Sequence, residues 1–198
     1  MVEIIHHRVA IAGQVLDLAT QQPISGAGVK IPDLQSPGHL LFTYTQEDGS
    51  FYFLDLPNGS YTLQISVPDL AGIYGVVEVT GVKVDTQELT DVGLKHLTVI
   101  KPILDFKKVE LTATQLSGTV IDQTTNHAIT GAMVQLLGSG LSTRTDKNGG
   151  YQFLHLQASI PTLQGSAIGY QPTAQKVTLT AGQKTVANFS LTKLATPA

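Results

Sequence analysis

An all-β protein made of two tandem copies of one small domain is the fold class this sequence predicts, and three observations predict it. Apolar and polar residues alternate in short runs, clusters of turn formers separate those runs, and one long pattern of motifs occurs twice. Helical patterning is nearly absent. No window of about 11 residues keeps apolar positions at i, i+3, i+4 and i+7 free of interruption by Gly, Pro or Thr-rich clusters. Many short strands at spacings of roughly 8–12 residues indicate a sandwich or a barrel.

In chain order, the first strand is expected from Val9 to Leu16. The turn Glu47-Asp48-Gly49 leads into a strand from Ser50 to Leu54, where Phe51 and Phe53, two apart, face one core. After Pro57-Asn58-Gly59, Tyr61, Leu63, Ile65 and Val67 share one face while Thr62, Gln64 and Ser66 share the other, the signature of a half-buried strand. Val76 to Val84 follows. The second half repeats the style with Leu116 to Ile121, Met133 to Leu137, Tyr151 to Leu156 and Val186 to Leu191, with a turn at Lys147-Asn148-Gly149.

The repeat sets the domain count. Gly13-Gln-Val-Leu-Asp17, Thr20, Ile24, Gly26-Ala27 and Val29 recur as Gly118-Thr-Val-Ile-Asp122, Thr125, Ile129, Gly131-Ala132 and Val134, each pair 105 positions apart. Thr45 to Leu56 then matches Thr145 to Leu156 at a spacing of 100, because the loop from Pro32 to Leu41 is longer than its counterpart, Gly138 to Leu141. The expected division is a domain over 1–95, a joining segment over 96–112 and a domain over 113–198.

These motifs carry a family resemblance. Gly-x-Val-x-Asp, Thr, Ile-x-Gly-Ala and Val, then Thr-x-x-x-Gly-x-Phe-x-Phe and Leu56-Pro57-x-Gly59-x-Tyr61-x-Leu63, resemble the carboxypeptidase regulatory-like domain. That domain is a prealbumin-like or transthyretin-like β-sandwich. The resemblance covers almost the whole chain, twice, and implies two tandem seven-stranded Greek-key sandwiches of Ig-like character acting as non-catalytic modules. The second copy departs from the pattern at Leu156-Gln-Ala-Ser-Ile-Pro161 and recovers at Gly169-Tyr170. Gly13, Asp17, Gly26, Gly49, Gly59, Tyr61, Gly118, Asp122, Gly131 and Gly149 are expected to define turns and close packing rather than to bind a ligand.

Composition excludes several chemistries. There are 12 Lys+Arg against 15 Asp+Glu, a net charge of −3, and 14% charged residues, so no basic field is available for nucleic acid. With no cysteine there is no disulfide, thiolate metal site or cysteine nucleophile. His6, His7, His39, His96, His127 and His155 show no metal-ligand spacing, and no Gly-x-Ser-x-Gly occurs. Transthyretin-like hydrolases of 5-hydroxyisourate end in Tyr-Arg-Gly-Ser, whereas this sequence ends Thr-Lys-Leu-Ala-Thr-Pro-Ala198. Glu47-Asp48 and Asp146-Lys147-Asn148 offer too few carboxylates for calcium. The expectation is no enzyme, cofactor or metal. No apolar run approaches the ~18–20 residues that span a bilayer, and no signal peptide is read at the start, so no membrane insertion and a cytoplasmic or cytoplasmically assembled setting are expected, with export by an unconventional route left open.

What remains is surface. Leu34, Leu40, Leu41 and Phe42 border the longer loop of the first copy and suit a contact loop. Val99, Ile100, Ile103, Leu104 and Phe106 make the joining segment apolar and β-prone, fit either to dock on its own domains or to add as an edge strand to another chain. The expected role is a structural subunit that decorates, caps or connects a larger assembly of protein subunits, of phage-tail-like or contractile-injection type, with self-association open. The alternative is an extracellular adhesion or carbohydrate-binding module, for which Tyr44, Tyr74 and Tyr170 are the aromatic candidates.

Overall fold

The computed structural model describes residues 8–32, 41–89, 99–102 and 106–195. It divides into two compact units, Met1–Ala71 with Val76–Leu111, and Gly72–Gly75 with Thr112–Ala198.

The first unit contains β1 (Val9–Asp17), β2 (Gly28–Ile31), β3 (Leu41–Tyr44), β4 (Ser50–Leu54), β5 (Gly59–Ser66), β6 (Val77–Val84), β7 (Thr86–Leu89), β8 (Val99–Pro102) and β9 (Phe106–Leu111). Three strands form one sheet in the order β4-β1-β9, four form the other in the order β3-β2-β5-β6, and β7-β8 is a separate hairpin. Inward positions alternate along each strand and meet in one core. Ile11, Val15, Phe51 and Leu111 come from the first sheet, and Val29, Leu63, Ile65 and Val82 from the second, all at most 2% exposed.

The joining segment expected over 96–112 is divided differently. Residues Phe106–Leu111 form β9, which runs parallel to β1 in the register Ala12↔Phe106 through Asp17↔Leu111 and closes the first sandwich. The reason lies in its alternation: Val109 and Leu111 are buried while Lys108 and Glu110 point outward and pair at 2.9 Å. Of the two docking choices open to this stretch, β9 takes a place in its own sheet.

The second unit repeats the plan with β10 (Gln115–Asp122), β11 (Met133–Leu136), β12 (Ser142–Arg144), β13 (Gly150–Phe153), β14 (Thr162–Ser166), β15 (Thr173–Lys176), β16 (Lys184–Val186) and β17 (Phe189–Leu191). Its sheets are β13-β10-β16, with β17 also on β10, and β12-β11-β14-β15. Leu116, Val120, Val134, Leu163, Phe189 and Leu191 are at the centre of its core. Each unit is thus a Greek-key sandwich of three strands on four, the closing strand of the second counted as β16 and β17 together.

Two expected strands end early or break. The strand expected to run from Tyr151 to Leu156 stops at Phe153, because His155 takes a left-handed φ of 53°, as Asp55 does at 54° in the first copy. The closing strand breaks between Val186 and Phe189. There the Asn188 side-chain oxygen accepts the Thr119 N–H at 2.9 Å, standing in for a backbone carbonyl.

Candidate functional site

The motif residues shared by the copies are occupied with holding the chain to itself. Asp17 is 2% exposed, and its Oδ1 accepts the N–H groups of Ala19 and Thr20 at 2.9 and 2.8 Å. Asp122 is 3% exposed, and its Oδ1 accepts the N–H groups of Thr124 and Thr125, both at 2.9 Å. Its second oxygen accepts the Tyr170 hydroxyl at 2.9 Å and pairs with Lys193 Nζ at 3.3 Å. The Thr125 N–H first, then Tyr170, Thr124 and Lys193, hold the Asp122 carboxyl far below the usual carboxylate range. These carboxylates are turn anchors: in each copy Oδ1 holds its own loop, and in the second copy the other oxygen ties that loop to Tyr170 and Lys193.

The glycines fall into different classes. Gly49 and Gly149 take φ of 75° and 74°, and a Cβ there would press to 2.5 and 2.6 Å on the carbonyls of Val15 and Val120. Gly26 and Gly131 have positive φ with open space around them. Gly13 and Gly118 sit where the parallel closing strand approaches, so a Cβ would overlap the carbonyls of Lys107 and Ala187. Gly59 opens β5 without a positive φ, and a Cβ would meet the Tyr61 ring at an ordinary 3.6 Å, so nothing local demands glycine there. Tyr61 anchors that turn by donating its hydroxyl to the Pro57 carbonyl at 2.8 Å.

The three tyrosines separate cleanly. Tyr74 is 7% exposed, with its ring 6.3 Å from that of His155 inside the second unit, so it offers no platform. Tyr170 is committed to Asp122. Tyr44 is 58% exposed, with its ring edge-to-face on Phe42 at 4.5 Å between centroids.

Of the expected contact residues, Leu34, Leu40, Ile103 and Leu104 lie outside the described residues. Val99 and Ile100 pair with Leu89 and Glu88 in the β7-β8 hairpin. Leu41, Phe42 and Phe106 are exposed large apolar side chains. The register places Phe106 beside partners that the sequence reading missed. Tyr52, Ala12 and Phe106 form one row across β4, β1 and β9, on the outward face of the sheet. Val9 and Leu54, paired beyond the bulge in β1, continue that face. Tyr52 is 48% and Phe106 56% exposed. The signal was present in the alternation, since a residue between core-facing Phe51 and Phe53 must point outward, and here it is aromatic. In the second unit the matching row reads Gln152, Ser117 and Val186.

Among the described residues, no group of three or more His, Asp or Glu side chains is placed to hold a metal ion. A shallow hollow lined by Ser117, Arg144, Asp146, Tyr151 and Gln152 lies on the second unit. Its Arg144 is turned to the Gly131 carbonyl and its Asp146 to the N–H groups of Asn148 and Gly150, so both charges serve the local turns.

No curated protein matches the chain in sequence. Among solved structures, it is similar to a chain of a type II cohesin–X-dockerin complex from Acetivibrio cellulolyticus, at 22% identity and a TM-score of 0.33, over 38% of this chain and 52% of that one. It is similar to a streptococcal ancillary pilin at 16% identity and a TM-score of 0.36, over 95% of this chain and 62% of that one. A double mutant of the shaft pilin SpaA from Lactobacillus rhamnosus GG gives 11% identity and a TM-score of 0.39, over 97% and 99%. The chain therefore spans about half to three fifths of the first two structures. These are likenesses of fold alone. The family model for the carboxypeptidase regulatory-like domain matches residues 10–94 and again 115–192, and the chain belongs to that family.

Proposed function

We propose that the chain works by protein–protein contact, as a non-catalytic structural subunit of a larger assembly, through the outward face of the β4-β1-β9 sheet. The observation that carries this reading is the row Tyr52–Ala12–Phe106, continued by Val9 and Leu54, on a face that solvent would otherwise cover. Contiguous exposed apolar surface is disfavoured on a soluble monomer, and Tyr and Phe are enriched in the buried centres of interfaces. The second unit supports it as an internal control, because the same fold tolerates Gln152 and Ser117 at the matching positions. Fold stability alone therefore does not demand Tyr52 and Ala12. Decoration or capping of a phage-tail-like or contractile particle is the finer form of the proposal, supported by the low 14% content of charged residues.

The test is sedimentation of the untagged protein from a native lysate, with mass spectrometry of what travels with it. Migration far above 21.0 kDa is expected, lost in a Tyr52→Gln, Ala12→Ser, Phe106→Val variant that borrows the second unit's residues. Migration of the wild-type chain at its own mass overturns the reading.

A further inference from the structure

The opposite sheet of the first unit carries a different kind of surface. In the pairing register, Phe42, Lys30, Gln64 and Glu78 lie side by side across β3, β2, β5 and β6. Tyr44, Gly28 and Ser66 form the adjacent row. Both rows face outward, because the alternate positions Val29, Leu63 and Ile65 fill the core at 0% exposure. Gly28 makes the aromatic cluster possible. A Cβ there would lie 2.9 Å from the Phe42 ring, so its absence lets that ring settle on the sheet. Lys30 Nζ stands 5.9 Å from the centre of the Phe42 ring, and Tyr44 meets the same ring edge-on at 88°. Gln64 donates to Glu78 Oε1 at 3.4 Å, which fixes the amide's direction along the row.

We propose that this face binds a neutral saccharide, with a pyranose ring against Tyr44 and Phe42 and its hydroxyls on Lys30, Gln64 and Glu78. An aromatic face is electron-rich and receives the polarised C–H groups on one side of a pyranose, while a sugar's edge needs donors and acceptors together. Lys30 supplies donors, Glu78 acceptors and Gln64 both. The positive Lys30 and negative Glu78 cancel, which favours an uncharged ligand over an acidic one. At the ~4.8 Å spacing of strands, the three polar groups cover about 10 Å, room for two linked rings. A protein partner would instead call for an apolar centre, and here the residues flanking the aromatic pair are polar. The second unit keeps Gln164 in the place of Gln64 but lacks the rest of the site: Ser142 replaces Phe42, Arg144 replaces Tyr44, Met133 replaces Gly28, Gln135 replaces Lys30 and Ala174 replaces Glu78. This surface lies on the other sheet from the protein-contact face, so either proposal can fail without the other.

The experiment is titration of the isotope-labelled full chain with cellohexaose, maltohexaose and mannohexaose in turn, followed by amide shifts. Saturable shifts confined to β2, β3, β5 and β6 are expected with at least one of the three. Affinity should fall about tenfold or more in Phe42→Ser, Tyr44→Arg and Glu78→Ala, each taken from the second unit, and stay unchanged in Tyr52→Gln. Glu78→Ala trims an exposed side chain, so it keeps the test decisive if an aromatic variant does not fold. No shift in these strands with any probe at about 10 mM, or binding that survives Tyr44→Arg and Glu78→Ala, overturns the proposal.

Discussion

Tyr151 donates its hydroxyl to the carbonyl oxygen of Ala187, at the point where the closing strand of the second sandwich breaks. The first copy has Phe51 at that place, also buried and without a hydroxyl. The difference follows from the break. In the first unit β9 runs unbroken along β1, whereas the kink after β16 leaves a carbonyl inside the fold, and a buried carbonyl needs a donor. Tyr151→Phe keeps the ring and orphans that carbonyl, so it should destabilise the second unit by about 1–2 kcal/mol. Urea unfolding followed by the amide signals of β10 to β17 measures it.

The same hydroxyl gives an alkaline signature. Burial pushes Tyr151 up to about 12 from an ordinary value of 10.0. The folded state holds its proton more tightly than the unfolded state, so this contribution is complete below pH 10 and is lost as pH rises from there toward 12. In an absorbance titration of the six tyrosines, the ionisation near pH 12 should disappear in Tyr151→Phe, while Tyr170, raised by the hydrogen bond it donates to Asp122, stays late in both proteins.

Asp122 gives the acid counterpart. Its carboxyl is depressed by the Thr125 N–H and its other donors, so its contribution is present above the usual carboxylate range and lost as pH falls below about 4. Asp122→Asn should lower the denaturation midpoint at pH 7 and flatten its fall between about pH 4 and 2. Lys193→Ala should do much less, because Lys193 is 63% exposed and solvent screens its pairing. Equal effects from the two variants would show that the ion pair, and not the turn, uses this carboxylate.

Gly118 and Gly131 test two separate reasons for glycine within one unit. A Cβ on Gly118 would overlap the Ala187 carbonyl and come within 2.8 Å of the Tyr151 hydroxyl, and backbone cannot yield as a side chain can. Gly118→Ala should cost about 3 kcal/mol through overpacking. Gly131 has φ of 73° and nothing within 4 Å, so Gly131→Ala should cost only the left-handed strain, about 1 kcal/mol. The ranking of the two urea midpoints is the measurement.

The sandwich was legible because its signals are local and repeated. Phe51 and Phe53 alternate with Tyr52, and the internal repeat, at spacings of 105 and then 100, shows most of the motifs twice. Strand β9 was not legible as part of the first domain, because it pairs in parallel with a strand more than ninety residues earlier and nothing nearby announces that partner. That miss hid the contact face, since Phe106 looks like a linker residue until the register sets it beside Ala12 and Tyr52. Tyr74 misled for a related reason: its exposure depends on packing against His155, far away in sequence. The Phe42–Tyr44 pair lay beside a loop already singled out, yet its seat on Gly28 is a cross-strand relationship that no single run of residues displays.

Thr45 and Thr145 explain a motif that alternation cannot. The Thr45 hydroxyl donates to the Ile24 carbonyl at 2.6 Å and accepts the Ala27 N–H at 2.8 Å; Thr145 does the same with Ile129 at 2.5 Å and Ala132 at 2.9 Å. Each threonine is 5% exposed and pins the Ile-x-Gly-Ala loop to the strand that precedes the Gly49 or Gly149 turn. Valine has nearly the same shape and neither hydrogen-bonding function, so Thr45→Val leaves a buried donor and acceptor unpaired at little cost in packing. The expected loss is about 2 kcal/mol in the first unit for Thr45→Val and about the same in the second for Thr145→Val. Thr→Ser in either place restores both hydrogen bonds and should recover most of the loss. Hydrogen exchange at the Ala27 and Ala132 amides reads it directly: both should exchange faster in the valine variants, and unchanged protection there would assign the motif to packing alone.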